Sequence, residues 1–380
     1  MATGKGDHTA APPPPFANAG VLPVDILPEV LLRLPADELC RLRLVCRSWR
    51  SLTSNKLFAK EHSSCHRYVL ALHSMEPHEI HVLDMHGNIV KKIRLATGYG
   101  DVDRSSQLDL VPIIGSSSSS PTQVLDLATG AAVVLRGVSD VITSCQKARG
   151  PTFPRYLLGQ VSSTREYKML CVVHSYAQGY VSLVQSCHVM TLGDTTWRVA
   201  PQPPITLASV SWKMVGVDGV AFFLGSEHCV GIEVDSVAMF DFGTEEWRPN
   251  TLIGPLTSLV DSTGHHNLIY HGNRLHLSQL RGCLVMVHKN DQDSSTDLWF
   301  LEDINKSLWT KRYSMPWPPY WKLPGFIYPK LVLQNGKIVV WMPIARILRA
   351  YDPRTSTWTD MATLKDYCRV CVHNGSLLCS

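Results

Sequence analysis

Two short stretches place thiols and imidazoles at metal-ligand intervals: Cys368-x-x-Cys371 followed by His373, and His62-x-x-Cys65-His66. These are donors that zinc takes, but a structural zinc site needs four of them converging tetrahedrally. A lone CxxC inside the apolar, strand-like run YCRVCVH reads more simply as structural thiols, so no metal is expected. His265-His266 lies among Ser, Thr and Gly, which reads as a loop with no orienting partner for acid–base work. No GxxxxGK[ST], GxSxG or HExxH occurs, and no dinucleotide fingerprint follows a strand. The expectation is therefore no catalytic residue, no cofactor and no enzyme.

The chain that must position any site has 380 residues, 45% of them hydrophobic, with a mean hydropathy of zero. That composition reads as soluble and globular, with a large core. No run of 18 apolar residues suggests a membrane span, and residues 1–20, with APPPPFANAG, read as a disordered tail without the apolar stretch of a signal peptide. Eleven cysteines without framework spacing fit the reducing cytoplasm or nucleus. A net charge of +4, with no long basic patch interleaved with aromatics, excludes nucleic acid as the expected partner.

Residues 22–58 carry a different signal. Ile26, Leu27, Val30, Leu31 and Leu34 recur at helical spacing. Asp25 suits an N-cap, Pro28 falls in the first turn, and Pro35 stops the helix. A second helix starts near Asp37 and Glu38 and shows Leu39, Leu42, Val45, Cys46 and Trp49 to one side. So small a module buries too little surface to stand alone, and an exposed apolar face on it implies a partner. Arg41, Arg43, Arg47 and Arg50 could steer it towards an acidic one, the bland alternative being a solvated face.

The joint pattern of Leu22-Pro23, Ile26-Leu27, Val30, Leu34-Pro35, Leu39, Arg43, Val45-Cys46, Trp49 and Phe58 resembles the F-box family, with small departures at Pro28 and Cys40. The alternative is an ordinary helical hairpin with a Leu core stripe. The resemblance implies a three-helix F-box over residues 21–62 that binds a Skp-type adaptor, which in turn holds a cullin and a ring-type ubiquitin ligase subunit. The binding residues it implies are Leu22, Pro23, Ile26, Leu27, Val30, Leu31, Leu34, Pro35, Leu39, Val45, Cys46 and Trp49.

Downstream of Lys60, short runs of Val, Ile, Leu, Tyr and Trp alternate with Gly, Asn, Asp, Ser and Pro clusters, which reads as all-β. A repeat recurs as Phe240-Asp241 to Trp247, Glu302-Asp303 to Trp309, and Tyr351-Asp352 to Trp358, with Asp six residues before an inward-facing Trp. Degenerate copies place further anchors at positions 84, 126 and 191. The 42 to 65 residues between anchors match a four-stranded propeller blade. Asp218-Gly219, Gly272-Asn273, Asn335-Gly336 and Asn374-Gly375 each lead into an apolar run and look like turns of inner hairpins.

This pattern resembles the kelch-like, F-box-associated β-propeller of plant F-box proteins over residues 67–380, although Gly-Gly doublets are missing. Six blades are expected, with Cys371 to Cys379 as an inner strand completing the N-terminal blade. A β-sandwich with coincidental Asp/Trp turns is the competing fold. Ser116 to Ser120 reads as a flexible loop. In the proline-rich loop Met315 to Tyr328, Trp317, Tyr320 and Trp321 are candidate anchors for a target protein, packing being the equal alternative. Together these readings describe the substrate-recognition subunit of a Skp–cullin–F-box ubiquitin ligase. The rivals are an F-box scaffold acting outside a ligase and a propeller-based enzyme.

Overall fold

Apolar runs too short for helices and bounded by turn residues can bury themselves only by pairing. In the computed structural model they form six four-stranded antiparallel sheets among the described residues. Those residues are 26–95, 98–102, 110–115, 122–135, 152–177, 182–226, 235–257, 274–318, 321, 325–373 and 377–378. The 1–20 tail, Leu22, Pro23, Asp25, Ser116 to Ser120, His265-His266, Gly272-Asn273, Tyr320 and Asn374-Gly375 lie outside them.

The chain divides into two units, Arg67–Gly375 and Met1–His66 with Ser376–Ser380. The larger is a six-bladed β-propeller. Numbering strands in chain order, β1 (Tyr68–His73), β2 (Glu79–Leu83) and β3 (Ile89–Arg94) belong to the first blade. The second comprises β4 (Tyr99–Val102), β5 (Leu110–Gly115), β6 (Gln123–Asp126) and β7 (Ala132–Val134). In the third are β8 (Thr152–Gln160), β9 (Tyr167–Ala177), β10 (Ser182–Thr191) and β11 (Arg198–Ala200). The fourth holds β12 (Met214–Val217), β13 (Val220–Leu224), β14 (Val237–Asp241) and β15 (Glu246–Trp247). The fifth holds β16 (Leu275–Leu280), β17 (Cys283–Asn290), β18 (Ser295–Asp303) and β19 (Leu308–Pro316). The sixth holds β20 (Tyr328–Val332), β21 (Ile338–Met342), β22 (Ile347–Asp352) and β23 (Thr357–Thr363).

One strand remains, β24 (Tyr367–His373), and it pairs with β1 as the innermost strand of the first blade, Val69 opposite Val372 and Ala71 opposite Val370. The sheet order β24-β1-β2-β3 closes the ring, which removes two open edges. The closing strand ends at His373, several residues earlier than the expected Cys371 to Cys379, and Leu377 and Leu378 group with the helical unit.

Burial follows position in the blade. Second strands such as β13 (VAFFL) and β21 (IVVWM) are buried throughout, whereas β7 is exposed at every residue. Buried side chains form clusters between successive blades, for example Leu157, Leu170 and Val189 of the third with Phe223, Phe240 and Trp247 of the fourth. Gly159 is required there, because a Cβ would come within 2.1 Å of the Phe242 ring.

Among its described residues the smaller unit has four helices, α1 (Leu27–Leu31), α2 (Ala36–Leu42), α3 (Arg47–Thr53) and α4 (Lys56–Cys65), one more than expected. Pro28 sits in the first turn of α1, as its missing N–H predicts. Pro35 does not end α1 but is the N-cap of α2, with an extended ψ of 156°. The stripe from Leu39 to Trp49 also proves to be two elements, because Cys46 is extended (φ −157°, ψ 168°) and starts α3.

Candidate functional site

The recurrent Asp/Trp turn is a building device. In each of the six blades the anchor position ends or immediately follows the third strand. Asp241 accepts from the backbone N–H of Gly243 at 2.8 Å, Asp303 from Asn305 at 2.9 Å, Asp126 from Ala128 at 2.9 Å and Asp84 from His86 at 2.9 Å. A short carboxylate thereby satisfies turn amides that no strand can reach. Four residues after Asp126, Asp241, Asp303 and Asp352 the chain turns through positive φ, at Gly130, Glu245, Ser307 and Ser356. The Trp then stands in the outermost strand and donates its indole N–H to the chain leaving the preceding blade. Trp247 reaches Pro201 O at 2.9 Å, Trp309 Ile253 O at 2.9 Å and Trp358 Pro316 O at 3.0 Å.

The residues with metal-like spacing have other employment. Cys368 and Cys371 are three apart in β24, an odd interval that sends them to opposite faces. His62 of α4 and His66 just after it, their rings stacked at 4.3 Å, donate from Nε2 to carbonyls of the segment between α1 and α2, Leu34 O and Leu32 O, both at 2.9 Å. They satisfy backbone acceptors of that turn. Among the described residues, no group of three or more His, Cys, Asp or Glu side chains is placed to hold a metal. No helix among them is long and apolar enough to cross a membrane.

The aromatic-proline stretch is also built into the packing. Trp317 donates to Thr296 Oγ1 at 3.0 Å and packs beside the cluster between the fifth and sixth blades. Trp321 packs on the same cluster, 5.1 Å from the Trp358 ring and beneath the Arg349 guanidinium. Both indoles are half-buried against this inter-blade cluster, and Tyr320 lies outside the described residues.

Exposed apolar side chains occur on both units, among them Met75, Val199 and Ile344 of the propeller, and the helical unit shows several close together in sequence. Its core takes Leu27, Leu31, Ala36, Leu39 and Phe58, all buried. Left outside are Leu44 at 90% exposure, Leu57 at 72%, Val45 at 61%, Ile26 at 44% and Val30 at 36%, with Pro35 and Cys46 also exposed. Leu34 and Trp49 are half-buried. The structure therefore divides the residues implied by the sequence into internal supports and surface groups. It adds Leu44, which helical periodicity misses because the chain has left α2 there; the unbroken apolar triplet Leu44-Val45-Cys46 after Arg43 was the available signal. Arg43 is internal too, its guanidinium donating to the Thr53 carbonyl at 2.8 Å and so tying α2 to α3. Arg41 pairs with Glu38, while Arg47 and Arg50 are exposed.

Comparison with known proteins bears on both units. Residues 146–360 match the F-box associated beta propeller domain, and residues 21–61 match the F-box domain. An F-box protein of Arabidopsis thaliana is 23% identical over 404 aligned positions, covering 94% of this chain and 91% of that one. An F-box/kelch-repeat protein of the same plant is 52% identical over 42 residues, 11% of this chain and 12% of that one.

Proposed function

Because the chain belongs to the F-box-associated β-propeller family and carries an F-box ahead of the propeller, we propose that it is the substrate-receptor subunit of a Skp–cullin–F-box ubiquitin ligase. The helical unit docks on a Skp-type adaptor and through it a cullin, while the propeller holds the target protein. The receptor itself performs no chemistry. Its contribution is proximity, since a target lysine held near a charged conjugating enzyme reacts at a raised effective concentration.

The observation that carries the reading is the set Ile26, Val30, Leu44, Val45 and Cys46, apolar side chains that a small module leaves exposed to water while others of its apolar groups are buried. Leu27, Leu31 and Leu39 are buried and belong to the module's interior. On the propeller, the turns between first and second strands are as short as two residues, 218–219 and 281–282, and the Asp/Trp turns span four. At the opposite ends of the strands the intervals between strands are longer in sequence, 225–236, 248–274 and 317–327, of which 227–234, 258–273, 319–320 and 322–324 lie outside the described residues. The longer connections are where target specificity belongs, because loops tolerate change that strands do not.

Replacing Leu44 and Val45 together by Asp tests the docking half. Adaptor affinity, measured by calorimetry with the full chain, should fall at least a hundredfold while the melting temperature stays put, as both residues are exposed. Undiminished binding by the folded double variant removes the proposal.

A further inference from the structure

Leu377 and Leu378 are buried to 6% and 4% exposure, yet neither belongs to the inter-blade clusters formed by Leu157 to Trp247, Val69 to Val372, Val215 to Met286, Leu280 to Tyr351 or Val124 to Met190 among the described residues. The last propeller strand has ended at His373, and Ser376–Ser380 group instead with Met1–His66. Adjacent leucines cannot both be buried on a simple surface strand, whose side chains alternate between faces; both are buried only where chain is enclosed on two sides. The helical unit has reason to enclose them. Four helices of five to ten residues offer only Leu27, Leu31, Ala36, Leu39 and Phe58 as fully buried apolar groups, too few for so short a unit to hold itself together.

We propose that Leu377 and Leu378 complete the core of the helical unit, so that the adaptor-docking module is discontinuous in sequence, made of residues 26–66 and a second segment more than 300 residues away. The two leucines are positioning residues. They touch no partner, but hold α1 to α4 in the arrangement that displays Ile26, Val30, Leu44 and Val45. A fragment containing the F-box residues alone then lacks part of its core, and docking competence depends on the propeller having been made and closed, because β24 delivers the leucines. This rests on the proposed adaptor binding for its functional consequence, but not for its structural content.

The test uses the full chain with Leu377→Ser and Leu378→Ser, read by amide hydrogen exchange resolved by segment and by affinity for an Arabidopsis Skp-type adaptor. Expected are faster exchange in α1 to α4, unchanged protection in β8 to β23, and adaptor binding weakened at least tenfold, with Leu377→Met and Leu378→Met restoring both. Unchanged helix protection in the double Ser variant overturns the inference. So does lost protection in the propeller with the helices intact, which would assign the leucines there. If the unaltered chain does not bind the adaptor, the proposed function falls, while helix exchange still decides this inference.

Discussion

Two buried histidines of the propeller, His174 and His373, are held neutral by their surroundings. His174 in β9 is 1% exposed and His373 in β24 is 2% exposed. Burial pulls both imidazoles down to about 4, helped at His174 by the Arg155 cation and opposed at His373 by Asp126. A base whose folded pKa lies below its unfolded value binds protons first in the unfolded chain. Stability is therefore full above the unfolded pKa of about 6.5 and declines as pH falls towards 4, by up to about 3 kcal/mol per histidine at 1.36 kcal/mol per unit. Calorimetric scans from pH 7 to 4.5 should show a falling melting temperature. His174→Gln with His373→Gln should flatten that profile, and an unflattened profile would place the proton uptake elsewhere.

Among the elements, the turn joining the third and fourth strands of a blade does two jobs at once. Its Asp satisfies the turn amides, and its Trp, presented by the outermost strand, rivets that blade to the chain leaving the previous one. Trp247 shows the parts separately: the indole packs on Phe223 at 5.5 Å and Phe240 at 5.2 Å, and its N–H reaches Pro201 O. Trp247→Phe keeps most of the packing and strands one carbonyl, costing about 1 kcal/mol. Trp247→Ala also opens a cavity, costing about 3 to 5 kcal/mol. Denaturant titrations of the two variants should differ by that gap. Equal losses would mean that the hydrogen bond carries the whole effect.

For the molecule as a whole, ring closure is the cooperative event. The first blade is assembled from chain ends almost 300 residues apart, and Val370 (2% exposed) and Val372 (6%) belong to the cluster joining the sixth blade to the first. Val370→Asp puts an unpaired carboxylate into that cluster, costing several kcal/mol, and should release β24 from β1. Light scattering should then detect self-association through the exposed edge, together with a broadened melting transition. A monomeric variant with the parent's sharp transition would show that closure does not depend on this strand.

How far the sequence reached depended on the range of the interaction concerned. Helix periodicity, the Asp-to-Trp interval and the turn dipeptide Asp218-Gly219 are set within a few residues, so the helical unit, the β class and the blade period were all legible there. The Asp218-Gly219 turn appears between β12 and β13 with both residues at positive φ. Gly272-Asn273 lies outside the described residues, and the tight turn between β16 and β17 is Arg281-Gly282, again with both φ positive, a pair that nothing in the sequence distinguishes from many others. Only the tertiary structure decided that His62 and His66 bind carbonyls between α1 and α2, that Trp317 and Trp321 are half-buried between blades, that Leu39 is buried while Leu44 is exposed, and that Leu377 and Leu378 fall with the helices. Each of these turns on which distant surface covers a side chain, and burial against a partner tens or hundreds of residues away leaves no local spacing in the chain to be read.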